Sequence, residues 1–306
     1  MNSLAKILTY LLVVVLLAAL LSPPIYWLAQ WLGGHGILPF LAEFPFRRFF
    51  SRTAQVSAIV LVVPLLFWLR IRSVKEFGLV RNSHRIRDLI AGLLFAVVPV
   101  VLLGAGYLYF EVYGWKKELN FAPLLRIVLT AGFVAVVEEW LFRGVLLGLA
   151  VRAFGKLAGV LSVSAVFAGV HFIKPGKSPD EAVGWGAGFA QIARVFDSAP
   201  PIAQLALGLL SLFVAGLILA FAVLRTRSLW LPIGLHAGWI LGQQSLQLLA
   251  KFRIKPPDEL LPWVGPNVVS GAVPVGLVPV FVLLLTGAAV WLYVRHASAG
   301  ESLRSP

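Results

Sequence analysis

The chain has 306 residues, 59% of them hydrophobic and 13% charged, with a mean hydropathy of +0.90. A soluble domain carries about a quarter charged residues, so this composition excludes that class and predicts an all-α, polytopic transmembrane helix bundle of about eight spans. The lack of cysteine excludes disulfides and thiolate chemistry, and a net charge of +13 spread over helix ends and loops fits membrane lipids as partners and no nucleic acid.

Apolar stretches lie near residues 5–31, 54–71, 89–110, 122–150, 157–173, 202–224, 228–250 and 274–295. The first continues past Pro23 and Pro24 without a small-residue cleavage site, which reads as an uncleaved span with a proline kink. The short loop at 70–87 holds Arg70, Arg72, Lys75, Arg81, Arg85 and Arg87, the densest basic cluster, and favours both termini in the cytoplasm. No internal repeat suggests an inverted-repeat transporter. The loop at 174–200 carries Lys174, Lys177, Asp180, Glu181, Arg194 and Asp197, and residues 182–196 are expected to form a short interfacial helix. Residues 297–306 read as a solvated tail. Three parts follow: N-terminal spans at 1–121, a polar-bearing core at 122–250, and a loop, last span and tail at 251–306.

The fourth stretch contains Glu138, Glu139 and Arg143. Three charges mid-span would cost about 8–10 kcal/mol unless paired or facing water inside the protein, so a functional site is the default reading. On a helix Glu139 and Arg143 are four apart and share a face, with the glutamate in the better N-terminal position. Glu138 is turned about 100° away. One glutamate is thus free for chemistry while the other holds the arginine; a purely structural ionic network is the competing reading.

His171 closes the fifth stretch and His236 lies within the seventh, whereas His35, His84 and His296 fall in loops or at span ends. Small residues beside them (Gly144, Gly148, Ala168, Gly169, Gly234, Ala237 and Gly238) permit close helix approach in a membrane. A carboxylate and two imidazoles in a low-dielectric cavity suit general acid–base chemistry and amide hydrolysis by an activated water.

The order Glu138-Glu139-x-x-x-Arg143, Phe167-x-x-x-His171 and a later helical His236 resembles the CPBP intramembrane proteases, which include the type II CAAX prenyl endopeptidases. The resemblance covers roughly residues 122–250. It implies an endopeptidase acting on a membrane-associated peptide or protein, prenylated CAAX-type or leader-peptide, in a multi-pass cell-membrane setting of the bacterial inner-membrane kind. It implies Glu138 as activator of the hydrolytic water, His171 as its positioning partner, His236 in the oxyanion site, and Glu139, Arg143 and Phe167 as support. No cofactor is expected. The alternative is zinc held by His171, His236 and Glu138, although no HExxH motif is present. No GxSG serine motif occurs, and no aspartate falls within an expected span.

One position departs from the family pattern. Four residues after the last histidine the family often carries Asn or Asp as a second oxyanion donor; here Ile240 stands. Gln243, on a similar face about one turn further on, is the expected substitute, with Gln247 beyond it. This departure favours a second reading, a catalytically impaired scaffold or immunity protein with the same buried network.

Overall fold

The computed structural model describes residues 3–70, 79–173, 182–195, 197, 199–257, 259–268 and 274–302. Arg72, Lys75, Lys174, Lys177, Asp180, Glu181 and Phe196 lie outside the described residues. Helix makes up 74% of the structure, and there is almost no sheet.

Every apolar stretch is helical: α1 (Ser3–Gly34), α2 (Phe46–Trp68), α3 (Arg85–Tyr109), α4 (Leu124–Glu139), α5 (Leu147–Phe154), α6 (Lys156–Val170), α8 (Ile202–Thr226), α9 (Trp230–Leu249) and α10 (Leu277–Ser302). A π-helical turn, Trp140–Leu146, joins α4 to α5. A short α7 (Ala187–Ala193) lies within the expected 182–196 segment. Among the described residues five helices are long and apolar enough to cross a membrane: Thr9–Gly34, Phe46–Trp68, Arg85–Tyr109, Ile202–Thr226 and Leu277–His296. The chain is a membrane protein. The α4–α5 run and α9 carry the polar residues, and α6 is a shorter apolar helix.

Three expectations need correction. Helix α2 starts at Phe46 rather than near 54, because Phe46 and Phe49 pack edge-on against Tyr26, with ring centroids 5.6 and 5.4 Å apart. Helix α3 starts at Arg85, so an aspartate does lie within a span: Asp88, in the first turn. Asp88 is buried and accepts hydrogen bonds from Asn82 Nδ2 at 2.7 Å and the Tyr293 hydroxyl at 2.5 Å, and these partners let the carboxylate enter the helix. Finally, α10 continues to Ser302, so much of the expected tail is helical; after Pro279 in its first turn no proline occurs before Pro306.

The chain divides into two compact units. The first comprises Met1–Arg72 and Phe172–Ala199. In it the Tyr10 hydroxyl on α1 donates to Ala58 O on α2 at 2.7 Å, and Gly188 of α7 lies so close to the Ala19 backbone that no side chain fits between them. Trp27 Nε1 donates to Val183 O at 2.8 Å.

The second unit comprises Ser73–His171 and Pro200–Pro306. Its tightest pairing joins α3, which the sequence groups with the N-terminal spans, to α9. Gly234 of α9 meets Leu89 O, Gly92 of α3 meets Leu231 O, Gly238 rests on Ala96 and Leu93, and Gly242 rests on Val100. Glycines at 234, 238 and 242 recur every four residues and form one stripe facing α3. His236, two residues from Gly234, is rotated by about 200° and points away from α3. A left-handed turn at Gly155, with φ of 82°, reverses the chain between α5 and α6. Gly159 then sits against the Ala150–Val151 backbone, and Gly216 of α8 sits against Ser164 of α6. Strands β1 (Tyr113–Trp115) and β2 (Ala250–Phe252) form an antiparallel ribbon that pairs Tyr113 with Phe252, Gly114 with Lys251 and Trp115 with Ala250. The sequence reading did not anticipate this ribbon.

Candidate active site

Three elements of the second unit deliver the site. Helix α4 ends on Glu138 and Glu139, and the π-helical turn carries Arg143. Such wide turns often occur at functional sites. Helix α6 supplies Phe167 and ends at His171, its C-terminal cap. Helix α9 supplies His236, aimed by the glycine stripe on its back.

Glu139 is fully buried and holds two partners on one oxygen. Oε1 accepts from Arg143 Nη1 at 3.0 Å and from His236 Nδ1 at 2.8 Å. The arginine pair follows from helical spacing; the histidine bond, between α4 and α9, was not foreseen. Glu139 Oε2 and Arg143 Nε and Nη2 have no protein hydrogen-bond partner. The flat guanidinium instead lies 4.1 Å from the centroid of the Phe167 ring, a cation–π contact in a desolvated setting. Phe167 is a hub: Phe142, His171 and His236 all stand edge-on to it, with centroids 5.3, 4.7 and 5.8 Å away.

Glu138 is the site's open end. Its side chain is 28% exposed and makes no direct hydrogen bond through Oε2. His171 Nε2 stands 3.8 Å from Oε2 and His236 Nε2 stands 3.9 Å from it. The other ring nitrogens fix the tautomers. His171 Nδ1 lies 2.6 Å from the Phe167 carbonyl, which can only accept, so Nδ1 carries the proton. His236 Nδ1 donates to the Glu139 carboxylate in the same way. In the neutral rings both Nε2 atoms therefore present lone pairs toward Glu138.

Two imidazole nitrogens and a carboxylate oxygen are the right donor kinds for zinc. Bonds of about 2.0–2.1 Å in a tetrahedron place ligand atoms about 3.4 Å apart, tighter than the 3.8 and 3.9 Å seen here. No group of three or more His, Cys, Asp or Glu among the described residues is arranged to hold a metal ion.

Glu138, Glu139, Arg143, Phe167, His171 and His236 thus come together. Gln243 does not join them through any hydrogen bond: it is fully buried, and both its amide atoms lack a protein partner. The helical rise sets it about 10 Å along α9 from His236. Ile240 is buried as well.

The fold and this cluster define a membrane-embedded helical protein with a buried glutamate–arginine–histidine network. Residues 120–241 match the family described as Rce1-like, type II CAAX prenyl endopeptidase Rce1-like, which bears out the resemblance to the CPBP family. That span runs from just before α4 to the middle of α9; it contains every clustered side chain and Ile240 and stops before Gln243. No curated protein and no solved structure matches the chain.

Proposed function

We propose that the protein is an intramembrane endopeptidase that hydrolyses a peptide bond of a membrane-associated substrate, prenylated CAAX-type or leader-peptide, with Glu138 activating the water. The convergence of His171 Nε2 and His236 Nε2 on Glu138 Oε2, at 3.8 and 3.9 Å, carries this reading. Atoms this far apart suit a water that donates one hydrogen to Glu138 Oε2 and the other to His171 Nε2, since hydrogen bonds of about 2.8 Å span that separation. Glu138 takes one proton as the water oxygen attacks the scissile carbonyl, and His171 Nε2 accepts from the other hydrogen and aims the attack. His236, when protonated, donates from Nε2 to the developing oxyanion, and Glu139 at 2.8 Å stabilises that imidazolium. Glu138 then passes its proton to the leaving amine as the C–N bond breaks.

The reaction is proposed to need no metal. Prolonged treatment of purified active protein with a chelator should leave the cleavage rate unchanged. A loss restored by zinc alone would replace this mechanism with one in which His171, His236 and Glu138 are ligands. We also propose a cell-membrane location of the bacterial inner-membrane kind with both termini cytoplasmic, on the strength of Arg70 and Arg81 in the connection before α3 and Arg85 and Arg87 in its first turn. Comparing protein termini in cells carrying wild-type or Glu138→Gln protein would reveal the substrates.

One observation favours a second reading, an impaired scaffold or immunity protein. Ile240 offers no hydrogen bond where a second oxyanion donor is expected, and loss of one such donor costs about 10²–10³ in rate in soluble proteases. Identical termini in the two cell populations would support it.

A further inference from the structure

At the far end of α4 from the glutamates, the second unit opens into a cavity of about 560 Å³ lined by Lys116, Arg126, Lys251, Gln244, Gln247 and Tyr113, among others. Its size falls within the range of about 300–1,000 Å³ typical of small-molecule sites. Twelve helical residues separate Ile127 in its wall from Glu139, or about 18 Å of rise, so the cavity is distinct from the hydrolytic cluster.

The lining is strongly one-sided in charge. Three basic side chains face it, and no aspartate or glutamate does. Lys116, Arg126 and Lys251 form no ion pair among the described residues. Gln244 and Gln247, three apart near the end of α9, present amides on one helical face. Burial pushes the Tyr113 hydroxyl up to about 12, so it stays neutral and adds no negative charge. The frame is held by backbone. Lys251 sits opposite Gly114 in the ribbon, and Lys116 N donates to Leu249 O at 2.9 Å. Tyr113 stacks on Tyr107, with centroids 5.5 Å apart and planes 6° apart.

An anion is the ligand this chemistry selects, and the surroundings say how it arrives. Trp115, Phe121 and Leu125, beside the basic residues in the chain, are 62%, 57% and 69% exposed. Trp115 at the end of the ribbon, with Phe121 and Leu125 around the start of α4, suits the boundary between headgroups and acyl chains. We propose that this cavity binds the phosphate of an anionic phospholipid headgroup, with Lys116, Arg126 and Lys251 as its charge partners and Gln244 and Gln247 as amide donors. This proposal stands independently of the hydrolytic reading.

Native mass spectrometry of the purified full-length protein, loaded with phosphatidylglycerol or phosphatidylcholine, tests it. Wild type should retain phosphatidylglycerol in preference. The triple variant Lys116→Gln/Arg126→Gln/Lys251→Gln should lose that preference by about 10²-fold, and Arg126→Gln alone by about fivefold, as expected for cations near an anionic lipid. The double variant Lys117→Gln/Lys255→Gln removes neighbouring charge outside the cavity and should behave as wild type. Should the triple variant not fold, the single variant carries the test. Equal retention of the two lipids, or undiminished retention by Arg126→Gln and the triple variant, overturns the proposal. Inorganic phosphate distinguishes the source: if it displaces phosphatidylglycerol at equimolar concentration, the site is one for a soluble phosphate and the lipid assignment fails.

Discussion

His236 and Arg143 share a single oxygen atom, Oε1 of Glu139, at 2.8 and 3.0 Å. One buried carboxylate therefore balances a cation on its own helix run and orients an imidazole from another. Replacing it with a neutral amide, Glu139→Gln, strips Arg143 of its counter-charge in an environment where uncompensated charge costs about 3–5 kcal/mol. The variant should melt well below wild type and also lose activity, because His236 loses its tautomer lock. A detergent-solubilised melt together with a cleavage assay checks both. Unchanged melting would mean that the carboxylate is not the counter-charge of Arg143.

Position 240 and position 243 make opposite predictions. Gln243 is buried with both amide atoms unpartnered, and replacing an unsatisfied polar group by an apolar one of similar shape is nearly neutral or stabilising. Gln243→Leu should thus hold or raise the melting temperature. If Gln243 serves as the second oxyanion donor, the same change also lowers the rate by about 10²–10³. Ile240→Asn places a donor one turn beyond His236 and should raise the rate if that donor is what the site lacks. Comparing kcat for the two variants decides which residue, if either, completes the oxyanion side.

The glycine stripe on α9 is what aims His236. A methyl group at Gly234 would strike Leu89 O and the backbone behind it. Overpacking of this kind costs about 1–3 kcal/mol, and it would push α9 away from α3 toward the site. Gly234→Ala is expected to lower the melting temperature and to reduce kcat more than KM, since misplacement by about 1 Å can cost 10²-fold. A variant with full kcat would show that the α3–α9 contact does not position the imidazole.

Much of this was legible in the chain because the membrane makes polar residues conspicuous. Glu138, Glu139, Arg143, His171 and His236 interrupt apolar runs, and helical spacing alone pairs Glu139 with Arg143. The second partner of Glu139 was hidden, since a bond from α4 to α9 depends on how helices 97 residues apart pack. The ribbon of Tyr113–Trp115 with Ala250–Phe252 was hidden for the same reason: each strand is only three residues long, too short for an alternation to register. Asp88 was missed because its helix starts four residues earlier than hydropathy suggests, with Arg85 and Arg87 masking the boundary. The basic cavity draws Lys116, Arg126 and Lys251 from separate segments, and along the chain they look like ordinary charges at helix ends.

The central claim is that Glu138 performs the chemistry while Glu139 supports it. Glu138 is part-exposed and its Oε2 makes no direct hydrogen bond, so Glu138→Gln removes the base with little structural consequence. The direct measurement is the single-turnover cleavage rate of purified Glu138→Gln, with its melting temperature recorded on the same preparation. The account predicts a rate lower by at least about 10²–10⁴-fold, the usual contribution of a general base, and a melting temperature matching wild type. A folded Glu138→Gln protein that cleaves at the wild-type rate would contradict it.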